Sequence, residues 1–513
     1  MKKPNIDWTD DLLGRQENAN WLTTLVLQRY NAYHTTQGSP ALSLALDADW
    51  GAGKSFFVDR WSADLERQDH PVIHFDAWAN DLSDDPLIGF LAQLQKELKP
   101  LLSKRPLIPT AQAELNQKVD KFWLKAKKAA VPAMGIIASG VVKKYAGFAL
   151  EDITEVLSNT QDLAEQSGEH EDDAKRKKPA AMESISKATD KFLELAMKSH
   201  SDKQQSINEM RSTLEDLLDY LASKSITKAP LFIFIDELDR CRPDYAIRLL
   251  EGMKHIFNAR GVCFVVSTNL QQLSSAVKAV YGSEFDAYRY LKKFFSFEYL
   301  LPAPDNLPYA RKLLAGSAFS KIANQNGLLI IPGLPSAKAT QEETIAYTFS
   351  LVADGMDLNL RSQRQVFEQA EAALSGFSNG DVVVLLYLFF LCAVFHSGVT
   401  SFDKLFNSVG VPTPATDEIK IVDNSIVLEF QSAQGNYRDK QRIFLREVLQ
   451  AFHQMAAMPF SDANKEAAAS QSNYPRNLLA EMTRSTYSIG SQRYMSMVKT
   501  GLAVRFLGFT KFN

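Results

Sequence analysis

The sequence predicts an α/β fold, a parallel sheet broken by one long helical insertion and followed by a C-terminal helical domain. Three observations predict it. Apolar, β-favouring runs alternate with helix-forming stretches, at 41–46 (ALSLAL), 71–75 (PVIHF), 230–236 (PLFIFID), 261–268 (GVCFVVST) and 294–301 (FFSFEYLL). Strands separated by helices need crossover connections, which make the sheet parallel and cover both its faces. The second and third runs stand far apart, and the residues between them read as mainly helical. After LLPAPDNLP (300–308) the β-pattern fades, and helical segments follow at about 309–325, 340–354, 360–375 and 380–396, with more after 440. The expected organisation is a sheet core over 1–76 and 229–305, an insertion over 77–228, a helical lid domain over 306–400, and a region of unassigned role over 401–513. That last region holds strand-like pieces in IKIVDNSIVLEFQS (419–432).

A chain of 513 residues is long enough for two or three domains. With 45% hydrophobic and 23% charged residues it has the composition of a soluble globular protein. A net charge of −3 and the lack of a basic stretch interleaved with aromatics argue against a nucleic-acid track. The three cysteines have no metal-ligand spacing, which suits a reducing cytoplasm. The start, MKKPNIDWTDDLLGRQ, carries no apolar stretch and is not a secretory signal. Two apolar runs, 129–142 and 382–395, are 14 residues each, short of the roughly 20 that a spanning helix needs. The second reads as a buried helix. The first is glycine-rich and flanked by lysines, so peripheral contact with a membrane surface is open there, though not favoured. The charge-dense run 165–181 reads as a solvated loop.

The chemistry concentrates at DWGAGKS (49–55). A strand precedes it and a helix, opened by Ser55 and Phe56, follows. Gly51, Ala52 and Gly53 supply amides that curl around phosphate oxygens at a helix N-terminus. Lys54 reaches the β- and γ-phosphates, and the Ser55 hydroxyl ligates magnesium. Trp50 is expected to anchor the loop by packing. Ala48 stands where the G-x-x-x-x-G-K-[ST] pattern has its first glycine, which matters only if that residue needs a positive φ.

The second element is LFIFIDELDRCRPD (231–244), a buried strand ending in Asp236 and Glu237. The first carboxylate after such a strand orients magnesium, and the second polarises the attacking water as a general base. An acidic helix N-terminus explains one carboxylate, but not its pairing with a phosphate loop upstream. The strand at 261–269 ends in Ser267, Thr268 and Asn269. Asn269 reads equally as a γ-phosphate or water sensor and as an N-cap, and the two roles are compatible.

Together these residues resemble the KAP family of P-loop NTPases, a branch of the STAND-like ATPases. The motifs that carry the resemblance are DLLGR (11–15), DWGAGKS (49–55), FDAW (75–78), IDELDRCRP (235–243) and YRYLKKFFSFEYLLPAP (288–304), within a match from about residue 7 to 400. Asp239, Arg240, Cys241 and Pro243 are its most specific piece, and Ala48 is a departure from the family's usual glycine. The resemblance implies a P-loop NTPase parallel sheet with ATP and Mg2+ as its ligands. It places Gly14 and Arg15 at the adenine pocket, where a helix-capping turn is the alternative. It puts Asp76 at a strand end near the site and Trp78 under the insertion. It makes Arg289 or Lys293 a cation acting on a neighbour's nucleotide, against a solvated basic face that includes Lys292. It gives Arg361, or Arg364 one turn on, a phosphate-sensing role. No guanine-specifying N-K-x-D string occurs.

The expectation is therefore a cytoplasmic ATP hydrolase. Lys54 and the loop amides hold phosphates, Ser55 and Asp236 place magnesium, and Glu237 activates water. It acts as a homo-oligomer or with partner proteins, and the resemblance points to bacterial anti-phage defence. The alternatives are a nucleotide-sensing scaffold with little turnover and a membrane-surface assembly factor.

Overall fold

The computed structural model describes residues 6–33, 39–83, 85–102, 107–130, 205–255, 258–331, 340–398, 404–405, 425–431, 438–446, 448–450, 453 and 503–504. The membrane-contact segment beyond residue 130 and the charge-dense run at 165–181 lie outside them, as does most of 401–513. The described chain forms two compact units. One comprises Met1–Asp7, Glu17–Ala48 and Ser55–Leu300, and the other Trp8–Gln16, Asp49–Lys54 and Leu301–Asn513.

In the first unit five strands, β1 (Leu42–Asp47), β2 (Val72–Asp76), β3 (Leu231–Asp236), β4 (Val262–Thr268) and β5 (Phe297–Leu300), form one parallel sheet in the order β2-β3-β4-β1-β5. All five expected strands are present, the last shorter than its apolar run. The helices are α1 (Arg15–Tyr33), α2 (Lys54–Arg67), α3 (Pro86–Leu102), α4 (Pro109–Ala130) and α5 (205–223), then α6 (Pro243–His255), α7 (Leu270–Tyr281) and α8 (Ala287–Leu291).

Strand periodicity sorts the core into two layers. Phe232 and Phe234 of β3 face α2, where fully buried Trp61 packs edge-on to both rings and donates its indole N–H to Thr23 of α1 at 2.8 Å. Ile233 and Ile235 face the other way, into a cluster with Phe75, Phe264, Val266 and Phe90 of α3. Leu115 and Phe122 of α4 and Met210, Leu214 and Leu217 of α5 join that same cluster. The described part of the insertion is thus continuous with the core of this unit.

The second unit contains α9 (Asn306–Ala315), α10 (Phe319–Gln325), α11 (Gln341–Gly355), α12 (Leu360–Ala373) and α13 (Leu385–Ser397). Thr340 caps α11 by accepting from the Glu343 amide at 3.2 Å, with Glu three residues after Thr as in a capping box. Helix α13 is buried on every side from Leu385 to Val394, which explains why its run is apolar all round. Val382–Val384, expected as the start of that helix, instead forms β7 and pairs in parallel with β6 (Leu329–Ile331). Three successive β-branched valines favour the strand. The strand-like piece after 419 forms β8 (Ser425–Gln431), paired antiparallel with β9 (Arg438–Phe444).

Phe389 of α13 meets Phe349 at 5.0 Å, Phe319 at 5.8 Å and Phe367 at 5.9 Å between ring centroids. Phe389→Ala is expected to destabilise this unit by about 3–5 kcal/mol. Urea unfolding followed by circular dichroism checks it, and a loss below about 1 kcal/mol would contradict this packing.

Candidate functional site

Strand β1 hands the chain to the glycine-rich loop at Ala48, which is buried and donates its amide to the Thr268 carbonyl at 3.2 Å. Ala48 does not occupy the left-handed region; Gly51 (φ +82°) and Gly53 (φ +91°) do. The absent first glycine therefore costs no backbone strain, because the two glycines that are needed are present. Within the loop the Ala52 amide and the Lys54 ammonium both donate to the Asp49 carbonyl, each at 3.2 Å.

Two pieces of the second unit brace this loop. Arg15 is buried and donates to the carbonyls of Pro302 (2.8 Å) and Ala52 (3.4 Å). Its turn is capped by Asp11, which accepts from the amides of Leu13 and Gln16, while Gly14 adopts φ +64° in open space. On the other side stands the start of α12. A Cβ added to Gly51 would lie 2.5 Å from Asn359 Oδ1 and 2.9 Å from Arg361 Cβ, and one added to Gly53 would meet Leu360 at 3.6 Å. Asn359 is the N-cap of α12, accepting from the Ser362 amide at 2.9 Å. Buried Gln363 locks that turn by donating to the Leu358 carbonyl and to Asn306, each at 2.7 Å.

In the first unit, Asp236 ends β3 beside Asp76 on β2 and Ser267 on β4, and Asp47 ends β1 beside Thr268. Asp236 lies two residues beyond Phe234 and so shares the face on which α2 packs. It accepts the Glu237 amide at 2.9 Å. Glu237 leaves the strand in the left-handed region, φ +60°. Burial pushes its carboxyl pKa up; Arg240 opposes this, and Asp236, Asp76 and Asp239 add to it. An ion pair of 2.7 Å joins Glu237 to Arg240. Asp239 accepts the Thr268 hydroxyl at 3.3 Å.

The KAP family P-loop domain matches residues 26–364. The chain belongs to that family. A comparison with curated proteins finds no match. Among solved structures, the Aeropyrum pernix ORC2 protein in its ADPNP–ADP complexes is 11% identical, with 78% of this chain and 71% of that one covered, at a TM-score of 0.29. C. elegans PCH-2 is 10% identical, with 77% and 73% covered, at 0.28. Likenesses of that size bear on neither architecture nor activity.

The remaining expected residues of the KAP chain fall as follows. Ser55 is exposed at the first turn of α2, and half-buried Phe56 carries the Arg60 guanidinium 3.5 Å above its ring. Trp50 is 45% exposed, and Arg15 and the start of α12 also meet the loop. Trp78 is 53% exposed rather than buried under the insertion, and the Arg240 guanidinium lies 5.4 Å from its ring centre. Asn269 is buried and uses its Oδ1 as the N-cap of α7, accepting the Gln272 amide at 2.9 Å. Arg289, Lys292 and Lys293 are exposed, with Lys292 over Tyr288 (4.6 Å) and Lys293 over Tyr290 (5.7 Å). Arg361 is exposed beside Gly51, whereas Arg364 is paired with Glu368 at 2.8 Å. Burial pushes the Cys241 thiol up to about 12, which removes it as a nucleophile.

Two neighbours of the acidic pair are not evident from spacing alone. Ser267 is fully buried beside Asp236, and its hydroxyl has no partner among the described residues. Arg240 pairs with Glu237. The register that puts Ser267 and Asp236 on one face is a property of the paired strands, which the one-dimensional pattern does not carry.

Gly51→Ala is expected to weaken nucleotide binding at least tenfold. It would force a left-handed alanine, costing about 1–2 kcal/mol, against the contacts with Asn359 and Arg361. Gly53→Ala carries only the conformational cost and should lose less. Titration of a fluorescent ATP analogue onto the full-length variants checks the order, and equal losses would contradict it.

Proposed function

We propose that this KAP chain binds Mg-ATP and hydrolyses its β–γ bond to drive a conformational or assembly switch. The observation that carries the reading is the strand order. The strand that leads into the glycine-rich loop and the strand that ends in Asp236 and Glu237 run parallel on either side of β4 and finish at one edge of the sheet.

The residues present suit the ligands. Positive φ at Gly51 and Gly53 is the backbone conformation that anion-cradling loops use. The Ser55 hydroxyl and the Asp236 carboxylate are the hard oxygen donors that Mg2+ takes alongside phosphate. When bound, Mg2+ supplies charge neutralisation at the phosphates. Lys54 holds the terminal phosphates, and Glu237 accepts the proton of the attacking water. Buried Ser267, next to Asp236, supplies one more hydroxyl. Arg361, beside Gly51, reports phosphate occupancy to α12. Exposed Arg289 offers a cation to a neighbouring copy's nucleotide, which makes a homo-oligomer the expected assembly. The family resemblance supports a place in bacterial anti-phage defence.

Phosphate release and ATP binding measured on the same full-length preparation test the reading. Turnover with mass photometry showing an ATP-dependent assembly change is the expected result. Tight binding with no turnover would instead make the chain a nucleotide-sensing scaffold. Among the described residues no helix is long and apolar enough to cross a membrane.

A further inference from the structure

Two sequence motifs have no part in the chemistry above: the tryptophan of FDAW and the arginines that follow the acidic pair. In the first unit they meet. Trp78 lies in the turn just after β2, a turn shaped by Asp76 accepting the Ala79 amide at 2.8 Å. Arg240 lies in the 3₁₀ turn Leu238–Arg240 just after β3. Its guanidinium reaches the Trp78 ring at 5.4 Å and the Glu237 carboxylate at 2.7 Å. Two residues on, Arg242 donates through Nε to Asp81 Oδ1 at 3.0 Å and through its amide to Asp81 Oδ2 at 2.9 Å. It also donates to the Asp81 carbonyl. The turns after β2 and β3 are thus stapled together twice.

We propose that Arg240, carried on the exposed face of Trp78, is a positioning residue that fixes the carboxylate of Glu237 for water activation. Three features support it. Glu237 departs the strand with a left-handed backbone, so its side chain is not oriented by the pleat and needs another hold. A planar guanidinium can bind a carboxylate and stack on an indole at once, which an ammonium cannot. Trp78 is 53% exposed, and its ring carries the Arg240 guanidinium 5.4 Å from its centre. The proposal rests on Glu237 being the general base.

Among the described residues, the charged groups that act on Glu237 are Arg240 and Asp239 in the 3₁₀ turn, Asp236 at the end of β3 and Asp76 at the end of β2. Arg240 is the one cation in that group, and its ion pair at 2.7 Å is the contact that can hold the Glu237 carboxylate in one orientation. Steady-state ATP hydrolysis by the full chain tests the role. Arg240→Ala should lower kcat about tenfold to a hundredfold with KM little changed. Trp78→Ala should shift kcat in the same direction by less. A Glu237→Gln, Arg240→Ala double variant should be no slower than Glu237→Gln alone.

Arg240→Lys keeps the charge without the fork and should give an intermediate kcat, which tests the idea if the alanine variant does not fold. Parental kcat in both Arg240 variants, with Glu237→Gln inactive, overturns the role of Arg240 alone. Parental turnover by Glu237→Gln overturns the base assignment on which it rests.

Discussion

Lys54→Ala is expected to remove measurable ATP binding, a loss of at least about a hundredfold in affinity. Lys54 is the one ammonium in the 49–55 segment, and it opens α2 where the helix's own positive end adds to it. Its Nζ donates to the Asp49 carbonyl at 3.2 Å, which keeps the side chain against the loop. A hydrogen bond to a charged partner contributes about 1.5–3 kcal/mol, and a terminal phosphate offers more than one such contact. Alanine is the best helix former, so the fold should survive and the thermal midpoint should stay near that of the parent. Equilibrium titration of Mg-ATP at matched protein concentration is the check. Parental affinity in the variant would remove the phosphate-gripping role.

Glu237→Gln is expected to bind ATP as the parent does and to lose about 10²–10⁴ in kcat. The amide keeps the shape of the carboxylate but cannot accept a proton. The pH dependence of the parent follows from the same surroundings. Burial raises the Glu237 pKa, and three neighbouring carboxylates add to it against Arg240. The protonated acid cannot take a proton from water, so kcat should fall as pH falls, with the midpoint raised from that of a free glutamate. Single-turnover phosphate release between pH 4 and 8 separates this from a binding effect. A profile flat through that window, or a glutamine variant at the parental rate, would contradict the assignment.

The central strands β3 and β4 were legible because they are buried on both faces. Val262–Thr268 is buried at every position and Leu231–Ile235 likewise, so each reads as an unbroken apolar run. The acidic pair and the glycine-rich loop were legible because their chemistry is local in sequence. What could not be read depends on long-range pairing. Gly51 meets Asn359 and Arg361 some 300 residues on, and nothing in DWGAGKS names that neighbour. Trp78 was expected under the insertion because tryptophan carries a large apolar body, yet it is 53% exposed. In the second unit, hydrophobicity alone does not separate strand from helix at 382–395; the β-branched valines mark the break.

The central claim is that the loop around Lys54 and the acidic end of β3 act on one metal-bound triphosphate. A structure of the full chain with Mg2+ and a non-hydrolysable ATP analogue tests it most directly. The expected result is magnesium ligated by Ser55 Oγ, with Asp236 directly or through a water, and the β- and γ-phosphates held by the amides of 51–55. A triphosphate bound away from the glycine-rich loop, or a metal with neither Ser55 nor Asp236 in reach, would contradict the account.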